Sequence, residues 1–272
     1  MRRGILGIVG SRIVDVERVA CQRRPIAISP RIDRFRRRAI GCVISGVDRV
    51  GKRVVVRLDT RDAIVLEPRM TGLVLVAEPP TREHLRFRCT LSGNGIGELL
   101  YWDRRGLGSV RLFSPKEFAA AFGPANLGPD ALTMTAEILR LRLSASRRAI
   151  KVALLDQRAV AGIGNLYASE ILHVARIHPA RRCDRLTRAQ WHTLADATQA
   201  VLEEAIRCEG STLGDGTYRN ALNQEGGYQN HHRVYAKAGE LCLTCGTADV
   251  TRIVQAQRST FYCPTCQRKA PS

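Results

Sequence analysis

Four cysteines near the C-terminal end of the chain have the type and spacing of a metal site. Cys242 and Cys245 form one C-x2-C pair, and Cys263 and Cys266 form a second. Two such pairs can place four thiolates tetrahedrally around one zinc ion, with the stretch between them folded back as a β-hairpin. Two disulfides or four incidental thiols would also fit the count. The regular spacing and the lack of a secretory signal favour one structural Zn²⁺.

The charge of the chain indicates the kind of partner. Its 272 residues include 43 lysines and arginines against 25 acidic residues, a formal net charge of +18. Most of the excess is arginine, whose planar fork suits bidentate contacts to phosphate. The surplus predicts a polyanionic partner, most simply nucleic acid. An arginine-rich proteome is the alternative explanation.

The apolar segments and the remaining cysteines indicate a cytoplasmic protein. No apolar run is long enough to cross a bilayer, and the apolar stretch at the start of the chain is too short for a signal peptide. We therefore expect no membrane partner. Five further cysteines show no pairing pattern and are expected to be buried free thiols of a reducing compartment: Cys21, Cys42, Cys89, Cys183 and Cys208.

The elements that must position these groups change in type along the chain. Up to about residue 121, short β-branched and apolar runs alternate with polar turns at 59–62 and 92–95, which predicts a sandwich or barrel. The segment 122–132 is rich in glycine and proline and is the predicted linker.

Helical patterns follow at 149–155, 165–174 and 188–207. Asn165 is placed to cap the second of these helices, after a glycine-containing turn. Amides at such a helix start bind phosphate readily, although a plain helix-turn-helix in a bundle would look the same. Residues 209–232 are predicted to form a loop.

Three groups of motifs resemble the formamidopyrimidine-DNA glycosylase family. Residues 151–157 (KVALLDQ), 162–170 (GIGNLYASE) and 177–179 (IHP) resemble the helix-two-turn-helix of that family. Residues 127–130 (LGPD) resemble its linker, and 256–263 (AQRSTFYC) resemble its zinc hairpin. The resemblance runs from Arg2 to about Lys269 and is strongest to the branch that acts on oxidised purines.

The resemblance implies an α+β fold. Its parts would be an N-terminal β-sandwich catalytic-type domain (1–121), the linker (122–132), a helical helix-two-turn-helix DNA-binding domain (133–236) and a C-terminal zinc-finger β-hairpin (237–272).

The implied function is base-excision repair. The enzyme would remove 8-oxoguanine and formamidopyrimidines from double-stranded DNA and nick the abasic site as a lyase. We expect a monomer with one structural zinc, associated with the nucleoid.

The start of the chain departs from the family pattern. In the family an N-terminal proline amine attacks C1′ of the sugar, and a glutamate follows the proline. A free α-amine titrates near about pH 8, so part of it is unprotonated near neutrality. This chain begins Met1-Arg2-Arg3-Gly4-Ile5 and enters the pattern late. We expect a start codon assigned at an internal methionine; a truncated, inactive paralogue is the alternative.

Two residues match family positions that act on the abasic site. Lys52 matches a lysine used near the abasic-site phosphate and in elimination, and a solvated lysine at a strand start is the alternative. Arg258 matches an arginine of the zinc hairpin that grips the phosphates flanking the lesion and assists the second elimination. Its fork suits that role, although a merely electrostatic arginine would also occur there.

Met70, Arg105 and Leu107 match the residues that fill the gap left by the everted base. An apolar wedge lowers the cost of unstacking, and an arginine can pair with the orphaned cytosine. Leu107 replaces a commoner aromatic wedge, and Gly106 stands where a second arginine is frequent. An ordinary core methionine is the alternative for Met70.

Further DNA contacts are implied by the resemblance alone. Asn165 and Tyr235 lie where the family contacts backbone phosphates, with a capping asparagine and a packed tyrosine as alternatives. The loop that closes over the everted base is matched at 212–228. Adjacent His231 and His232 are predicted to be polar surface, because no third metal ligand is placed. The other expected contacts are Arg82, His84, Arg147 and Lys151 on DNA, and Thr212 and Tyr218 in the lesion loop.

Two alternatives from other classes stay open. The first is a protein that binds damaged or abasic DNA without excising a base, if the N-terminal proline is truly absent. The second is a generic zinc-ribbon nucleic-acid binder, which would leave the joint presence of Lys52, Met70 and Asn165 unexplained.

Overall fold

The computed structural model describes residues 1–214 and 216–269 and divides into two compact units. Unit 1 consists of Met1–Gly123 together with Cys208–Gln229. Unit 2 consists of Pro124–Arg207 together with the chain from Asn230 onward. The α+β class and the predicted order of sandwich, helical region and zinc hairpin are confirmed.

Unit 1 is a sandwich of two sheets. The first sheet is antiparallel, in the order β1-β7-β8-β6, and the second has the order β2-β9-β5-β4-β3 with only β2 and β9 parallel. The strands are β1 (Arg12–Arg18), β2 (Ala27–Ser29), β3 (Ile44–Val50), β4 (Arg53–Leu58), β5 (Ala63–Glu67), β6 (Gly72–Leu75), β7 (Leu85–Ser92), β8 (Glu98–Asp103) and β9 (Ser109–Phe113).

The continuous apolar run of β4 is explained by cover on both faces of its sheet. Val54 and Val56 point into the core with Phe87 and Tyr101 of the other sheet, whereas Val55 packs into a separate cluster on the opposite face. Side chains of a strand alternate between faces, so a strand covered on both sides needs apolar residues at every position.

Helices complete unit 1 in a region that the sequence pattern assigns mainly to strands. A 3-10 helix spans Arg3–Ile8, α1 spans Ile32–Ala39 and α2 spans Pro115–Phe122. The start of α2 is a capping box: the Ser114 hydroxyl accepts from the Glu117 amide at 3.4 Å, and the Glu117 carboxylate accepts from the Ser114 amide at 2.7 Å.

The segment 208–229 belongs with the sheets of unit 1, which differs from the predicted helical domain boundary of 133–236. The Val76 amide donates to the Ala221 carbonyl at 2.9 Å, and the Asn223 side chain donates to the Glu78 carbonyl at 2.9 Å. A Cβ atom at Gly4 would lie 2.7 Å from the Ala221 Cβ atom, so the backbones meet closely. These long-range contacts leave no local trace in the sequence.

Unit 2 is helical and ends in a β-hairpin. Its helices are α3 (Ala136–Leu143), α4 (Ile150–Leu154), α5 (Asn165–Val174) and α6 (Arg188–Arg207), with 3-10 turns at Ala131–Thr133 and Cys183–Arg185. A further 3-10 turn at Tyr228–His231 lies where the chain passes from unit 1 into unit 2. The hairpin pairs β10 (Thr251–Gln255) with β11 (Arg258–Tyr262). Among the described residues, every helix is too short or too polar to cross a membrane.

Candidate nucleic-acid interface and metal centre

The four predicted zinc ligands lie together in unit 2. The Sγ atoms of Cys242, Cys245, Cys263 and Cys266 are all within 4.8 Å of one another. Two of the sulfur–sulfur distances are 3.9 and 3.6 Å. Tetrahedral zinc with Zn–S bonds of about 2.3 Å needs sulfurs about 3.8 Å apart, so the geometry fits the ion. All four cysteines are free thiols, which excludes the disulfide alternative.

A hydrogen-bond network anchors the zinc module to α5. The Gln267 side-chain oxygen accepts from the Cys263 amide at 3.0 Å and from the His173 Nδ1 atom at 3.2 Å. The Gln267 amide group donates to the Ile177 carbonyl at 2.9 Å. Burial lowers the pKa of His173, which keeps the ring neutral and fixes this donor pattern. Sequence reasoning missed His173 and Gln267, whose partners are distant in the chain.

Lys151 joins the helical region to the hairpin that carries Arg258. Its side chain is fully buried, and its Nζ atom donates to the Asn165 side-chain oxygen at 2.6 Å, the Ser259 carbonyl at 3.1 Å and the Thr260 hydroxyl at 2.6 Å. All three ammonium protons therefore have protein acceptors. This use of the protons gives Lys151 a positioning role on the hairpin, and its direct contact with DNA stays a prediction.

The environment of Lys151 disfavours its positive charge. Burial, followed by repulsion from Arg258, lowers the pKa of Lys151 from 10.5 to about 8. The ammonium group is thus protonated at neutral pH but loses its proton in mildly alkaline solution. Arg258 itself is exposed at the start of β11, directly before the anchored Ser259 and Thr260.

Asn165 has a different role from the predicted cap. Helix α5 begins at Asn165 itself, with Gly164 as the preceding residue that caps it. The Asn165 side chain instead donates to the Ser259 carbonyl at 3.0 Å while it accepts from Lys151. The cap prediction was wrong because a hairpin 94 residues away along the chain competes for the side chain.

Glu170 positions the segment that contains Tyr235. Its buried carboxylate accepts from the Arg233 amide at 2.8 Å, the Val234 amide at 3.0 Å and the Tyr235 amide at 2.8 Å. The ring of Tyr235 lies edge-on to that of Phe261 in the hairpin, with centroids 5.1 Å apart. Three amides on one carboxylate fix the backbone of this segment. A glutamate inside an apolar helix was the available signal for this role.

In unit 1, the structure brings Met70 and Arg105 together. The Arg105 Nη1 atom lies 3.5 Å from the Met70 sulfur, in hydrogen-bonding geometry. The Met70 side chain is 69% exposed, which excludes the alternative of a core methionine. Two of the three predicted gap-filling residues therefore form one exposed edge.

Asp103 is the buried support of that edge. One carboxylate oxygen accepts from the Thr71 hydroxyl at 2.6 Å and the Arg105 amide at 3.2 Å, and the other accepts from the Gly108 amide at 2.8 Å. Asp103 thus connects the turn that carries Arg105 and half-buried Leu107 to Thr71, the neighbour of Met70. Sequence reasoning passed over Asp103, although a single carboxylate at the end of an apolar strand was a usable signal.

Gly106 is explained by a close approach within unit 1. Its φ angle is +63°, and a Cβ atom there would lie 2.2 Å from the Arg24 carbonyl oxygen. A second arginine at this position would need both a strained backbone and displacement of Arg24. The departure from the commoner family pattern therefore follows from local packing.

Lys52 lies on the tight turn between β3 and β4. Its side chain is exposed, and the preceding Gly51 has a φ of +55° that lets the turn form. The structure places Lys52 on the surface, where both a role at the abasic site and a solvated lysine are consistent with its position.

The other predicted DNA contacts of unit 1 lie near the start of β7. The Arg82 side chain is 87% exposed and lies 3.9 Å from the Glu78 carboxylate. The His84 ring instead packs edge-on against Trp102, with centroids 5.3 Å apart. Arg147, in unit 2, is exposed between α3 and α4. Their contacts with DNA stay predictions.

Thr212 organises the predicted lesion loop within unit 1. Its hydroxyl donates to the Tyr218 carbonyl at 2.6 Å and accepts from the Gly226 amide at 2.9 Å. Its amide donates to the Gln229 side chain at 3.0 Å. The ring of Tyr218 lies against Gly210, where a Cβ atom would be 2.6 Å from it. One side chain thus connects the two ends of the loop.

The adjacent histidines have different surroundings. His231 lies 3.3 Å from the Glu204 carboxylate, whereas His232 is buried against the Tyr235 ring, so the predicted surface position is wrong for His232. Within 1–214 and 216–269, the four cysteines are the one group of potential ligands close enough to hold a metal.

Three family models match the chain. The formamidopyrimidine-DNA glycosylase N-terminal domain matches residues 1–110, and the H2TH domain of the same glycosylase matches residues 127–216. A zinc finger found in FPG and IleRS matches residues 239–268.

Curated relatives and solved structures cover nearly the same length. A formamidopyrimidine-DNA glycosylase of Chloroflexus aurantiacus is 40% identical over 89% of this chain and 86% of its own. Another, from Lactococcus lactis, is 33% identical over 96% of this chain and 94% of its own. The structure of the Lactococcus lactis enzyme in complex with DNA containing an abasic site superposes with a TM-score of 0.86 at 30% identity, covering 98% of this chain and 97% of that one.

Proposed function

We propose that this chain, which belongs to the formamidopyrimidine-DNA glycosylase family, removes oxidised purines from double-stranded DNA and then cuts the strand at the abasic site. The observation that carries the proposal is the buried Lys151–Asn165 pair, which holds Ser259 and Thr260 and thereby presents Arg258 from a rigid hairpin. A fork-shaped cation on a fixed strand suits the phosphates that flank a lesion.

The solved relatives support the same substrate class. Lactococcus lactis enzymes have been crystallised with DNA containing an abasic site and with DNA containing Fapy-dG. The curated relatives described above are named as glycosylases, so a binding protein without activity is not favoured.

The edge of unit 1 supplies the residues for base eversion. A base must leave the stack before its glycosidic bond can be attacked, and the resulting gap must be filled. Exposed Met70 can enter the stack as an apolar wedge, and Arg105 beside it can donate to the base left without a partner. Buried Asp103 holds the Arg105 turn and lowers the entropy lost when these side chains become ordered on DNA.

The reaction requires an amine at C1′ of the sugar. By the family pattern this amine belongs to an N-terminal proline followed by glutamate, and the five residues Met1-Arg2-Arg3-Gly4-Ile5 do not contain that pair. Attack on C1′ releases the base and forms an imine, which acidifies the neighbouring sugar protons and permits elimination of the flanking phosphates. Lys52 and Arg258 are the residues that we assign to the elimination steps.

Base release from intact damaged duplex tests the proposal. A short duplex with one 8-oxoguanine opposite cytosine is incubated separately with two forms of the protein. One is the chain as printed, and the other carries Pro-Glu and the following family segment ahead of Met1. Free 8-oxoguanine is then quantified by mass spectrometry. We expect the extended form to release 8-oxoguanine from the damaged duplex and to release no base from an undamaged control duplex. No release by either form would reject the glycosylase assignment.

We further propose a monomer that works on nucleoid DNA in the cytoplasm. The net charge of +18 favours a polyanion over a second copy of the same chain. Sedimentation of the zinc-loaded protein, free and with duplex, measures the stoichiometry.

A further inference from the structure

A small cavity of unit 1 lies between the end of β1 and β7. Its volume is about 300 Å³, and its wall includes Arg18, Cys21, Ile26 and Arg86. None of these residues has a part in the proposed function. The cavity is large enough to admit a molecule of a few atoms beside the sulfur of Cys21.

Arg86 gives this cavity a buried positive charge with a donor to spare. The side chain is only 2% exposed, and its Nε atom donates to the Asp103 carbonyl at 2.9 Å. Its Nη1 atom donates to the Cys21 sulfur. Its Nη2 atom is buried and has no acceptor among the described residues. An unfilled donor on a buried cation is costly, which indicates a site for an oxygen atom.

Cys21 and Cys208 are half-buried, so the prediction of buried thiols is wrong for these two, and Cys21 also contacts a buried arginine. The half-buried Cys21 sulfur contacts Arg86, accepts from the Arg23 amide at 3.4 Å and donates to the Glu83 carbonyl at 3.0 Å. Burial raises the pKa of Cys89 to about 12 and that of Cys183 to about 11, which disfavours the reactive thiolate at these two positions. Reactive cysteines are partly exposed and lie beside fixed positive groups, as Cys21 does.

We propose that Cys21 is a peroxide-reactive thiol whose sulfenic acid is held by the vacant Nη2 donor of Arg86. The sulfur attacks one oxygen of hydrogen peroxide, the S–O bond forms and the O–O bond breaks. The thiol proton leaves with the second oxygen as water, so sulfur loses two electrons and peroxide gains them. The new oxygen on sulfur then accepts from Arg86, which supplies the missing hydrogen bond.

The modified thiol is connected to the edge that holds Arg105. Arg86 contacts Cys21 with one nitrogen and the Asp103 carbonyl with another, and the Asp103 carboxylate holds the Arg105 amide. The backbone of Arg24 also packs against Gly106. Oxidation of Cys21 should therefore shift the Met70–Arg105 edge. This consequence for DNA rests on the proposed function, whereas the modification itself does not.

Labelling of the intact protein tests the modification. The zinc-loaded chain is exposed to hydrogen peroxide with dimedone, which traps sulfenic acids, and the adducts are mapped by peptide mass spectrometry while zinc release is monitored. We expect Cys21 to be labelled about tenfold faster than half-buried Cys208, the matched control in the same unit. Labelling no faster than that of Cys208, or none, would overturn the proposal.

Variants separate the thiol from its surroundings. Cys21→Ser should lose the adduct while Cys208→Ser keeps it. Arg86→Lys retains a charge but not the fork, and should slow labelling of Cys21. If that variant does not fold, the ratio of Cys21 to Cys208 labelling in the unmodified sequence still decides the matter.

Affinity for an abasic-analogue duplex tests the connection to the Arg105 turn. Treatment with peroxide should lower the affinity of the unmodified sequence for this duplex and leave the affinity of the Cys21→Ser variant unchanged. Labelling of Cys21 with unchanged affinity would overturn the connection. A protein that binds no DNA at all would contradict the proposed function and leave the labelling result standing.

Discussion

Replacement of Lys151 by methionine should weaken DNA binding while the protein stays folded. The ammonium group donates three hydrogen bonds, two of them to Ser259 and Thr260 next to Arg258. Methionine fills a similar volume and donates none of them. The hairpin keeps its zinc and its strand pairing, but the strand that presents Arg258 loses its buried anchor.

The magnitude follows from two opposing contributions. Three hydrogen bonds to a charged group contribute roughly 4.5 kcal/mol at about 1.5 kcal/mol each. Lowering the pKa from 10.5 to about 8 shows that burial disfavours the charge. That lowering corresponds to roughly 3.4 kcal/mol. The free energy of unfolding should therefore fall by roughly 1 kcal/mol. Loss of one well-placed phosphate contact should lower DNA affinity by about tenfold.

The assay combines urea unfolding with fluorescence anisotropy on an abasic-analogue duplex at fixed salt. Lys116→Met, at an exposed position of α2, removes the same charge and is the matched control. If Lys151→Met and Lys116→Met bind equally well, Lys151 does not position Arg258. A collapse of the fold on Lys151→Met would show that the estimate of the opposing contributions is wrong.

The same lysine predicts a dependence of stability on pH. Its pKa is about 8 in the folded protein and near 10.5 in the unfolded chain, so the unfolded state binds more protons between these values. The free energy of unfolding should therefore gain a contribution that rises from pH 8 to pH 10.5 and is lost as pH falls through 8. This contribution is measured as the difference between the unmodified chain and Lys151→Met across that window. A constant difference would contradict the burial of the charge.

Three further substitutions test other parts of the site. Cys263→Ser should abolish binding of one zinc per chain and unfold the hairpin, as measured by elemental analysis and circular dichroism; full zinc content would reject the ligand set. Arg258→Ala should reduce the slope of log binding constant against log salt concentration by roughly one unit, whereas Arg252→Ala on the same hairpin should leave it unchanged. Equal slopes for the two variants would contradict the phosphate contact of Arg258. Arg105→Ala should cost on the order of 1–3 kcal/mol of discrimination at the base opposite the lesion, with Arg104→Ala as the control; unchanged discrimination would remove Arg105 from base readout.

Local patterns were enough to predict the zinc ligands and the long helices. The spacing of the two cysteine pairs alone is enough to place the four sulfurs around one ion. The helices α5 and α6 begin and end at the predicted residues 165–174 and 188–207. The α2 helix was missed although Ser114, Pro115 and Glu117 form a readable capping signal.

The positioning residues depend on contacts that local patterns do not encode. Lys151 and Asn165 face a hairpin about a hundred residues further along the chain, with sequence separations of 108 and 94 to Ser259. The residues that flank a lysine in the chain do not show whether it is buried with neutral acceptors or exposed to solvent. For the same reason the cap predicted at Asn165 was wrong, and the segment 208–229 was placed with the helices instead of the sheets.

Reduction by borohydride during the reaction tests the central claim most directly. Only an imine between a protein amine and the sugar can be reduced to a stable link, so a trapped complex reports nucleophilic catalysis. With intact 8-oxoguanine duplex, the form that carries Pro-Glu ahead of Met1 should yield a covalent complex of one chain and one strand, and the chain beginning at Met1 should yield little or none. Equal trapping by the two forms would contradict the account of the nucleophile and assign the chemistry to Met1 or to a lysine amine.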